Sequence, residues 1–353
     1  MAMAKTGLLV SFFLLLLTSC GREPADLVVS GEALGTSYLV RIARFDGQAP
    51  PDRFAGRVAE ALDDLDHKLS TYKADSELNR LNRHPLNELF LASDDLYRVL
   101  EISQQIHRLS GGAFDPTLGP LVDLWGFGPV ATEDRVPEDA EIEDLLGRVG
   151  FHRVELVPPN QVIRRSDLSL DLSAVAKGFI VDRVAAALRA MGATDFMVEI
   201  GGEIRVDGHR RDGAPWRIAI ELPRPEGGIE QVLSVTDVGI ATSGDYRNYF
   251  ERDGKRYSHL LDPRTGRPIS HRLASVTVLA EAAADADALA TALMVMGPEE
   301  GARWSEDHEL AVLMLVKSGE GFREVASSRM LPYLQSLPEG SPPGEVPLKE
   351  VAR

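Results

Sequence analysis

The sequence is poor in cysteine and in positive charge. Its 353 residues include a single cysteine, Cys20, so no intrachain disulfide can form. Lysine and arginine number 38 against 54 aspartate and glutamate residues, which gives a formal net charge of −16. No basic face is apparent that would neutralise nucleic-acid phosphates, and this argues against a nucleic-acid partner. A phosphate-bearing ligand would therefore need local positive charge, from a metal ion or from a few placed Lys and Arg side chains.

One apolar run lies near the N-terminus. It extends from Leu8 to Leu17, follows Lys5, and is too short to span a bilayer as a mature helix. The run ends in Leu17-Thr18-Ser19-Cys20, which resembles the lipobox of bacterial lipoproteins, where cleavage leaves a lipidated cysteine. We expect an exported protein anchored through Cys20 to the periplasmic face of a bacterial membrane. An ordinary signal peptide with an incidental cysteine is the alternative.

The rest of the chain predicts one domain of the α+β class. We expect a signal peptide over residues 1–19, a tether over 20–28, the domain over 29–335 and a mobile tail over 336–353. Helical periodicity covers Phe54–Leu69 and a second helix capped by Ser93. Hairpin signals stand at Gly201-Gly202 and Asp253-Gly254, and residues 130–143 look like a surface excursion. Mixed helices and hairpins favour antiparallel strands packed on helices over a doubly wound fold.

A segment around Lys177 predicts an anion-binding helix start. Leu168, Leu170 and Leu172 alternate with polar residues, as in a strand, and Ser173 is a plausible helix N-cap. Lys177 then falls in or near the first helical turn, where a cation opposes the helix dipole unless an anion binds the free N–H groups. A solvated surface lysine is the plain alternative.

A second helix carries hard metal ligands. Asp287 and Thr291 are four residues apart, so a helix places both oxygens on one face. A carboxylate and a hydroxyl, completed by substrate phosphate and water, suit Mg²⁺. Alternatively, Asp285 or Asp287 caps the helix and Thr291 is a core hydroxyl. Together the two segments indicate phosphoryl chemistry.

Several ordered motifs between about Gly31 and Arg323 resemble the ApbE family, the FAD:protein FMN transferases. They are Leu34-Gly35-Thr36-Ser37-Tyr38, Leu69-Ser70-Thr71-Tyr72, Asp75-Ser76-Glu77-Leu78, Gly111-Gly112-Ala113-Phe114-Asp115-Pro116, Asp171–Gly178, Gly239–Gly244, Asp262-Pro263-Arg264-Thr265-Gly266 and Ala286–Leu293. The resemblance implies an ApbE-like, T-fold-related architecture. It also implies that FAD is bound with Mg²⁺, that its FMN half is transferred to a threonine hydroxyl of a target protein in a membrane redox complex, and that AMP leaves.

The same resemblance implies roles for individual residues. Asp287 and Thr291 would bind Mg²⁺ through their side chains and Ala174 through its carbonyl, and Ala290, where some relatives carry a second acid, leaves the number of metal ions open. The residues implied to contact FAD are Leu34, Tyr72, Ala113, Phe114, Asp115, Asp171, Lys177 and Leu261. Tyr72 would pack on an aromatic ring of FAD, and Lys177 would face phosphate.

His259 is the candidate general base. A base of near-neutral pKa suits the activation of a neutral hydroxyl. A strand histidine hydrogen-bonded in the core is the alternative for His259. Asp262 either orients His259, approaches the metal or starts a turn, while Thr242 and Ser243 either touch the ligand or serve turn geometry.

Two other functions remain open at this point. One is an Mg²⁺-dependent FAD pyrophosphatase, in which water replaces threonine and releases FMN and AMP. The other is a non-catalytic flavin-binding lipoprotein, which would bind FAD without turnover.

Overall fold

A computed structural model describes residues 26–46, 51–129, 135–224, 228–246, 248–319 and 321–335. The predicted signal peptide, Cys20 and the predicted tail lie outside these ranges. Within them, no helix combines the length and the apolar character needed to cross a membrane.

The described residues form seven α-helices. These are α1 (Pro51–Leu69), α2 (Glu77–Arg83), α3 (Asp94–Leu109), α4 (Gly119–Leu124), α5 (Asp139–Leu146), α6 (Ala176–Ala190) and α7 (Ala283–Asp307). The predicted cap of α3 is confirmed, because the Ser93 hydroxyl accepts a hydrogen bond from the Leu96 N–H at 3.2 Å. Helix α7 is kinked at Gly297, which has a φ of +80° and directly precedes Pro298.

Eighteen strands accompany the helices in the described ranges. They are β1 (Leu27–Ala33), β2 (Thr36–Phe45), β3 (Phe90–Leu91), β4 (Val154–Val157), β5 (Gln161–Arg164), β6 (Ala193–Ile200), β7 (Glu203–Asp207), β8 (Trp216–Glu221), β9 (Ile229–Val235), β10 (Val238–Gly244), β11 (Tyr249–Arg252), β12 (Lys255–Ser258), β13 (Leu261–Asp262), β14 (Arg267–Pro268), β15 (Leu273–Ala280), β16 (Ala311–Ser318), β17 (Gly321–Ala326) and β18 (Leu334–Gln335).

An eight-stranded sheet is the centre of the fold. Its order is β1-β2-β6-β7-β10-β15-β16-β17, and every neighbouring pair is antiparallel. Both predicted hairpins are present, since β6 turns into β7 at Gly201-Gly202 and β11 into β12 at Asp253-Gly254. The α+β prediction is therefore confirmed.

The central sheet is covered on both faces. Strand alternation sends Val276 and Val278 of β15 into a large core shared with the helices, and sends Leu279 into a second core. The second core also holds Trp216 and Leu233 of the small sheet β18-β9-β8. A third, smaller cluster joins α4, α5 and the β11–β12 hairpin.

Helix α7 is largely buried at its N-terminal end. Its alanines at 283, 284, 286, 288, 290 and 292 are all buried. Small apolar side chains of this kind let neighbouring backbones approach closely, as a core helix requires. Asp287 also lies in this stretch and is buried, with 3% of its surface exposed.

Two local predictions around residue 170 are wrong. Leu168, Leu170 and Leu172 are buried but form no strand, because the Asn82 side chain hydrogen-bonds both the N–H (2.8 Å) and the carbonyl (2.9 Å) of Leu170. Ser173 does not cap α6, which begins at Ala176 with Val175 as N-cap. The Ser173 N–H instead donates to Asp171 Oδ1 at 2.9 Å, in a turn that precedes the helix.

The predicted excursion over residues 130–143 is also partly wrong. Residues 130–134 lie outside the described ranges, but helix α5 begins at Asp139. Glu138 and Glu141 form a capping box at its start, and Ile142 is buried in the third cluster. The acidic composition that indicated a loop thus serves a helix N-terminus, where negative charge is favourable.

Candidate active site

A cavity of about 390 Å³ lies where the starts of α6 and α7, the end of β10 and the loop after β12 meet. All predicted site residues except Leu34 line it: Tyr72, Ala113, Phe114, Asp115, Asp171, Ala174, Lys177, His259, Leu261, Asp287 and Thr291. Segments more than a hundred positions apart in sequence therefore converge on one cavity, as the predicted metal and phosphate site requires.

Leu34 is the predicted site residue that the structure does not bring to this cavity. It occupies the β1–β2 turn with a φ of +56°, followed by Gly35 at +71°. Consecutive positive φ values fit a two-residue hairpin turn. The role that the structure assigns to Leu34 is thus in the turn and in partial packing on the large core.

The predicted metal ligands of α7 are held by hydrogen bonds from neighbouring elements. The Gly178 N–H of α6 donates to Asp287 Oδ2 at 3.0 Å. One turn further along α7, Thr291 Oγ1 lies 3.3 Å from Ser243 Oγ of β10. Burial raises the pKa of Asp287, against the opposing influence of Lys177 and of the Gly178 hydrogen bond.

Lys177 projects from the first turn of α6 into the cavity and forms an ion pair. Its Nζ donates to Glu203 Oε1 at 2.6 Å. Glu203 begins β7 and is 2% exposed, and its Oε2 is buried without a hydrogen-bond partner in the described part of the chain. Burial and the negative charge of Asp287 raise the pKa of Glu203, while Lys177 lowers it.

Glu203 is a site residue that sequence reasoning missed. Its position directly after the Gly201-Gly202 hairpin signal predicts only the start of a strand, where an acidic residue is ordinary. A signal was nonetheless present, because Gly201-Gly202 directly precedes it. Glycines permit close approach of the backbone to a ligand, and Gly201 does line the cavity.

The N-terminus of α6 differs from the predicted anion site. The Ala176 N–H donates to the Leu172 carbonyl at 2.8 Å, and the Gly178 N–H is taken by Asp287. These two amides are therefore committed to protein acceptors. Lys177 of α6 and Ala174, in the turn that precedes the helix, are what this segment contributes to the lining of the cavity.

His259 has the tautomer that a general base needs. Its Nδ1 lies 3.0 Å from the Asn248 carbonyl oxygen, which can only accept, so Nδ1 carries the proton and Nε2 keeps its lone pair. Burial lowers the pKa of His259 and so favours the neutral ring. Phe127, which also lines the cavity, meets the imidazole edge to face at 6.3 Å between ring centres.

The alternatives for three neighbouring residues are decided by their contacts. Asp262 Oδ1 accepts from the Arg264 N–H at 2.9 Å, so Asp262 starts a turn and does not orient His259. Thr242 and Ser243 lie within β10 and line the cavity, which excludes turn geometry as their role.

Asp171 and Asp115 shape the cavity wall opposite α7. Asp171 Oδ1 accepts from Thr71 Oγ1 at 3.3 Å, which ties the segment before Tyr72 to the segment before α6. Asp115 accepts from the Thr117 hydroxyl at 2.7 Å. Tyr72 is 72% exposed at the rim, where its ring is free to cover a bound ligand.

The donor set fits Mg²⁺. In the described residues no three or more His, Cys, Asp and Glu side chains gather into a metal-binding group. The predicted set needs none, because it combines one carboxylate, one hydroxyl and one backbone carbonyl, which are hard oxygen donors. In the same cavity, the buried Glu203 Oε2 has no hydrogen-bond partner among the described residues and could accept a further bond. A divalent cation would balance this excess of acidic groups.

Fold and cavity together define a class of α+β protein whose cavity joins a buried carboxylate, a hydroxyl, a lysine and a histidine. The ApbE family pattern matches residues 34–314 of the 353. The chain belongs to the ApbE family.

Relatives with assigned names are similar over nearly their whole length. A FAD:protein FMN transferase from Vibrio cholerae serotype O1 is 44% identical over 322 residues, which cover 91% of this chain and 96% of that protein. A FAD:protein FMN transferase from Haemophilus influenzae is 38% identical over 332 residues, covering 92% and 96%.

Solved structures show the same fold. The flavin transferase ApbE from Vibrio cholerae gives a TM-score of 0.81 at 43% identity and covers 88% of this chain and 100% of its own. The apo form of the Pseudomonas stutzeri flavinyl transferase ApbE also gives 0.81, at 38% identity, covering 87% of this chain and 97% of its own.

Proposed function

We propose that this chain is a Mg²⁺-dependent FAD:protein FMN transferase that links FMN to a threonine hydroxyl of a target protein and releases AMP. Membership of the ApbE family and the names of its relatives support the transferase activity. The observation that carries the metal and phosphate chemistry is the convergence of Asp287, Thr291, Lys177 and His259 on one cavity.

The reaction breaks the phosphoanhydride bond between the two halves of FAD and forms a phosphoester bond to threonine. His259 Nε2 takes the proton of the threonine hydroxyl as its oxygen bonds to the phosphorus of the FMN half. The bond from that phosphorus to the bridging oxygen breaks, and AMP leaves with the bridging oxygen and its electron pair. The Asn248 carbonyl, bonded to Nδ1, holds the imidazole in the orientation that directs Nε2 away from the backbone.

Two positive groups would stabilise the charge that develops on phosphate oxygens. Mg²⁺, held by Asp287, Thr291 and the Ala174 carbonyl, would act as a Lewis acid toward the diphosphate. Lys177 supplies a fixed ammonium, and Glu203 holds it by the 2.6 Å ion pair. A pre-positioned cation costs no reorganisation during reaction.

The test combines purified enzyme, FAD, Mg²⁺ and a threonine-bearing target protein. Ultraviolet fluorescence of the denatured target band, lost when the acceptor threonine is replaced by valine, is the expected result. EDTA should abolish it and added Mg²⁺ restore it. Fluorescence that persists in EDTA would contradict the metal dependence, and fluorescence on the valine variant would contradict the acceptor.

Hydrolysis of FAD to FMN and AMP is the second candidate function. The observation that favours it is the exposed ring of Tyr72, which leaves the cavity rim open to water. Free FMN that accumulates in the presence of a target, without a fluorescent target band, would support hydrolysis over transfer.

The location of the protein is a further part of the proposal. The Lys5 and Leu8–Leu17 signal and the Leu17–Cys20 motif support export and lipid anchoring on the periplasmic face of a bacterial membrane. Acceptors would then be proteins of membrane redox complexes. Replacement of Cys20 by alanine should move the protein from the membrane fraction to a soluble periplasmic fraction, and an unchanged distribution would refute the anchor.

A further inference from the structure

Helix α7, which carries the proposed metal ligands, begins without a cap of its own. Its N-cap residue is Ala282, whose side chain offers no hydrogen bond. The first N–H groups of a helix have no partner inside the helix, and leaving them buried and unpaired is costly. Ala283 and Ala284, the first two residues of α7, are both buried. Their N–H groups therefore need acceptors from elsewhere in the protein.

The acceptor is a carboxylate on another helix. Asp182 of α6 accepts from the Ala283 N–H through Oδ1 at 3.0 Å and from the Ala284 N–H through Oδ2 at 2.9 Å. Both oxygens are used, so rotation of the carboxylate would break at least one bond. A negative charge at this position is also favourable toward the helix dipole of α7.

A second contact lies one turn earlier on the same face of α6. Residue 178 is four positions before Asp182 and is a glycine, so α6 and α7 can touch. A Cβ at Gly178 would lie 2.3 Å from the Ala283 carbonyl oxygen. A Cβ at Gly239 of β10 would lie 2.3 Å from the Ala283 nitrogen. The first residue of α7 is thus enclosed between α6 and the central sheet.

These contacts fix the first turn of α7 relative to Gly178. The Gly178 N–H donates to Asp287 Oδ2, and Asp287 lies one turn beyond Ala283. A shift or rotation of α7 at its start would therefore separate Asp287 from Gly178 and move Thr291, a further turn along, away from Ser243.

We infer that Asp182 is a positioning residue: it caps α7 from α6 and thereby sets where Asp287 and Thr291 stand in the active cavity. Asp182 does not line that cavity. It lines a separate groove on the outer side of the two helices, together with Arg205 and Asp285. Asp182 would therefore affect the reaction only by positioning α7. The inference rests on the metal role proposed for Asp287.

The experiment compares Asp182→Asn and Asp182→Ala with the wild type in the metal-free protein and with Mg²⁺. The metal-free readout is hydrogen exchange at the Gly178 amide, referenced to the Val184 amide in the middle of α6. We expect Gly178 exchange to rise by roughly tenfold or more in Asp182→Ala with the Val184 amide little changed. The Gly178 exchange rate of Asp182→Asn, which keeps one acceptor oxygen, should lie between the rates of the wild type and of Asp182→Ala.

Ser93→Ala is the matched control. It removes the cap of α3, a helix that does not carry the proposed ligands, and it carries a comparable cost in stability. It should leave the ratio of Gly178 to Val184 exchange unchanged. Equal exchange ratios in Asp182→Ala and Ser93→Ala would overturn the positioning role.

Mg²⁺ binding, followed by calorimetry without FAD, is the second readout. Loss of a residue that orients metal ligands costs about 10–100-fold in affinity, and we expect about tenfold for Asp182→Ala. Wild-type affinity in Asp182→Ala would overturn the inference. If the wild type binds no Mg²⁺ with or without FAD, the proposed function fails, while the Gly178 exchange ratio still decides whether Asp182 positions Asp287.

Discussion

The two ends of the active cavity are built differently. At the α7 end, Asp287 is 3% exposed and its position is fixed by the Gly178 N–H and by small neighbouring residues. At the rim, Tyr72 is 72% exposed and has no comparable packing. A rigid, dry end suits a group that must keep fixed coordination, and an open end suits substrates that enter and leave. The comparison agrees with the proposal that metal chemistry takes place at the first end and exchange of FAD and target at the second.

Burial shifts the pKa values of two groups in this cavity, Asp287 and His259, in opposite directions. It raises the pKa of Asp287 and lowers the pKa of His259, so that both are pushed toward the neutral form. The neutral form is the one in which His259 can accept a proton as a base. As the proposed metal ligand, Asp287 would act in its ionised form, and a cation beside it would oppose the effect of burial on its pKa.

Asp287→Asn tests the buried end and should have the largest effect. The amide keeps an oxygen for the Gly178 N–H but loses the charge that binds Mg²⁺, so transfer should fall below detection, in line with the several kcal/mol that a metal contributes. The melting temperature should not fall, because a buried carboxylate is replaced by an uncharged group of the same shape. Covalent flavin on the target and thermal unfolding measure the two effects.

Asp285→Asn serves as the control for that variant. It lies two residues away on α7 and lines the outer groove, so it should transfer FMN at the wild-type rate. Normal transfer by Asp287→Asn at limiting Mg²⁺ would reject the metal assignment and remove the contrast between the two ends.

His259→Ala tests the base and should cost about 10²–10⁴-fold in kcat, the usual contribution of general base catalysis. The KM for FAD should change much less, because the imidazole acts on the acceptor hydroxyl. Initial rates with saturating target give kcat. An unchanged kcat would support the alternative that His259 is a hydrogen-bonded structural histidine.

The pH dependence of kcat/KM also tests His259 as the base, and the expected change is smaller than that in His259→Ala. The pKa of His259 lies below its ordinary value of 6.5 because burial disfavours the imidazolium, so the base form persists at neutral pH and is lost only as pH falls through that lower value. We expect kcat/KM at saturating Mg²⁺ to be flat above about pH 7 and to fall about tenfold per pH unit below the pKa. A profile that still rises between pH 7 and 8 would indicate a second titrating group, and the candidate in the same cavity is Glu203, whose pKa burial raises to about 8.

The sequence predicted which residues gather at the cavity better than it predicted the local backbone around them. Asp287 and Thr291 could be placed on one helix face from spacing alone, and helical periodicity located α1 and α3. The segment from Leu168 to Ser173 was misassigned because its backbone partner is a side chain 88 positions away, Asn82. No local pattern encodes such a contact.

Glu203 and Asp182 were missed for a related physical reason. Each is an acidic residue whose function is set by a partner on a different element, Lys177 for Glu203 and the α7 amides for Asp182. Acidic residues are common in this chain, at 54 of 353, so residue type alone carries little information. Burial separates these two from solvated acids, and burial appears only when the helices and the central sheet come together.

Tyr72→Ala tests the open end and should have the smallest effect. An aromatic pair contributes about 0.5–1.5 kcal/mol beyond burial, so loss of the ring should raise the KM for FAD by about 2- to 12-fold. Its kcat should stay near the wild-type value, because Tyr72 lies at the rim and away from Asp287. Tyr72→Phe is the matched control and should retain wild-type KM, since the face of the ring is kept. A kcat loss in Tyr72→Ala as large as that of His259→Ala would show that the rim takes part in the chemical step, and the division of the cavity into a reacting end and an exchanging end would fail.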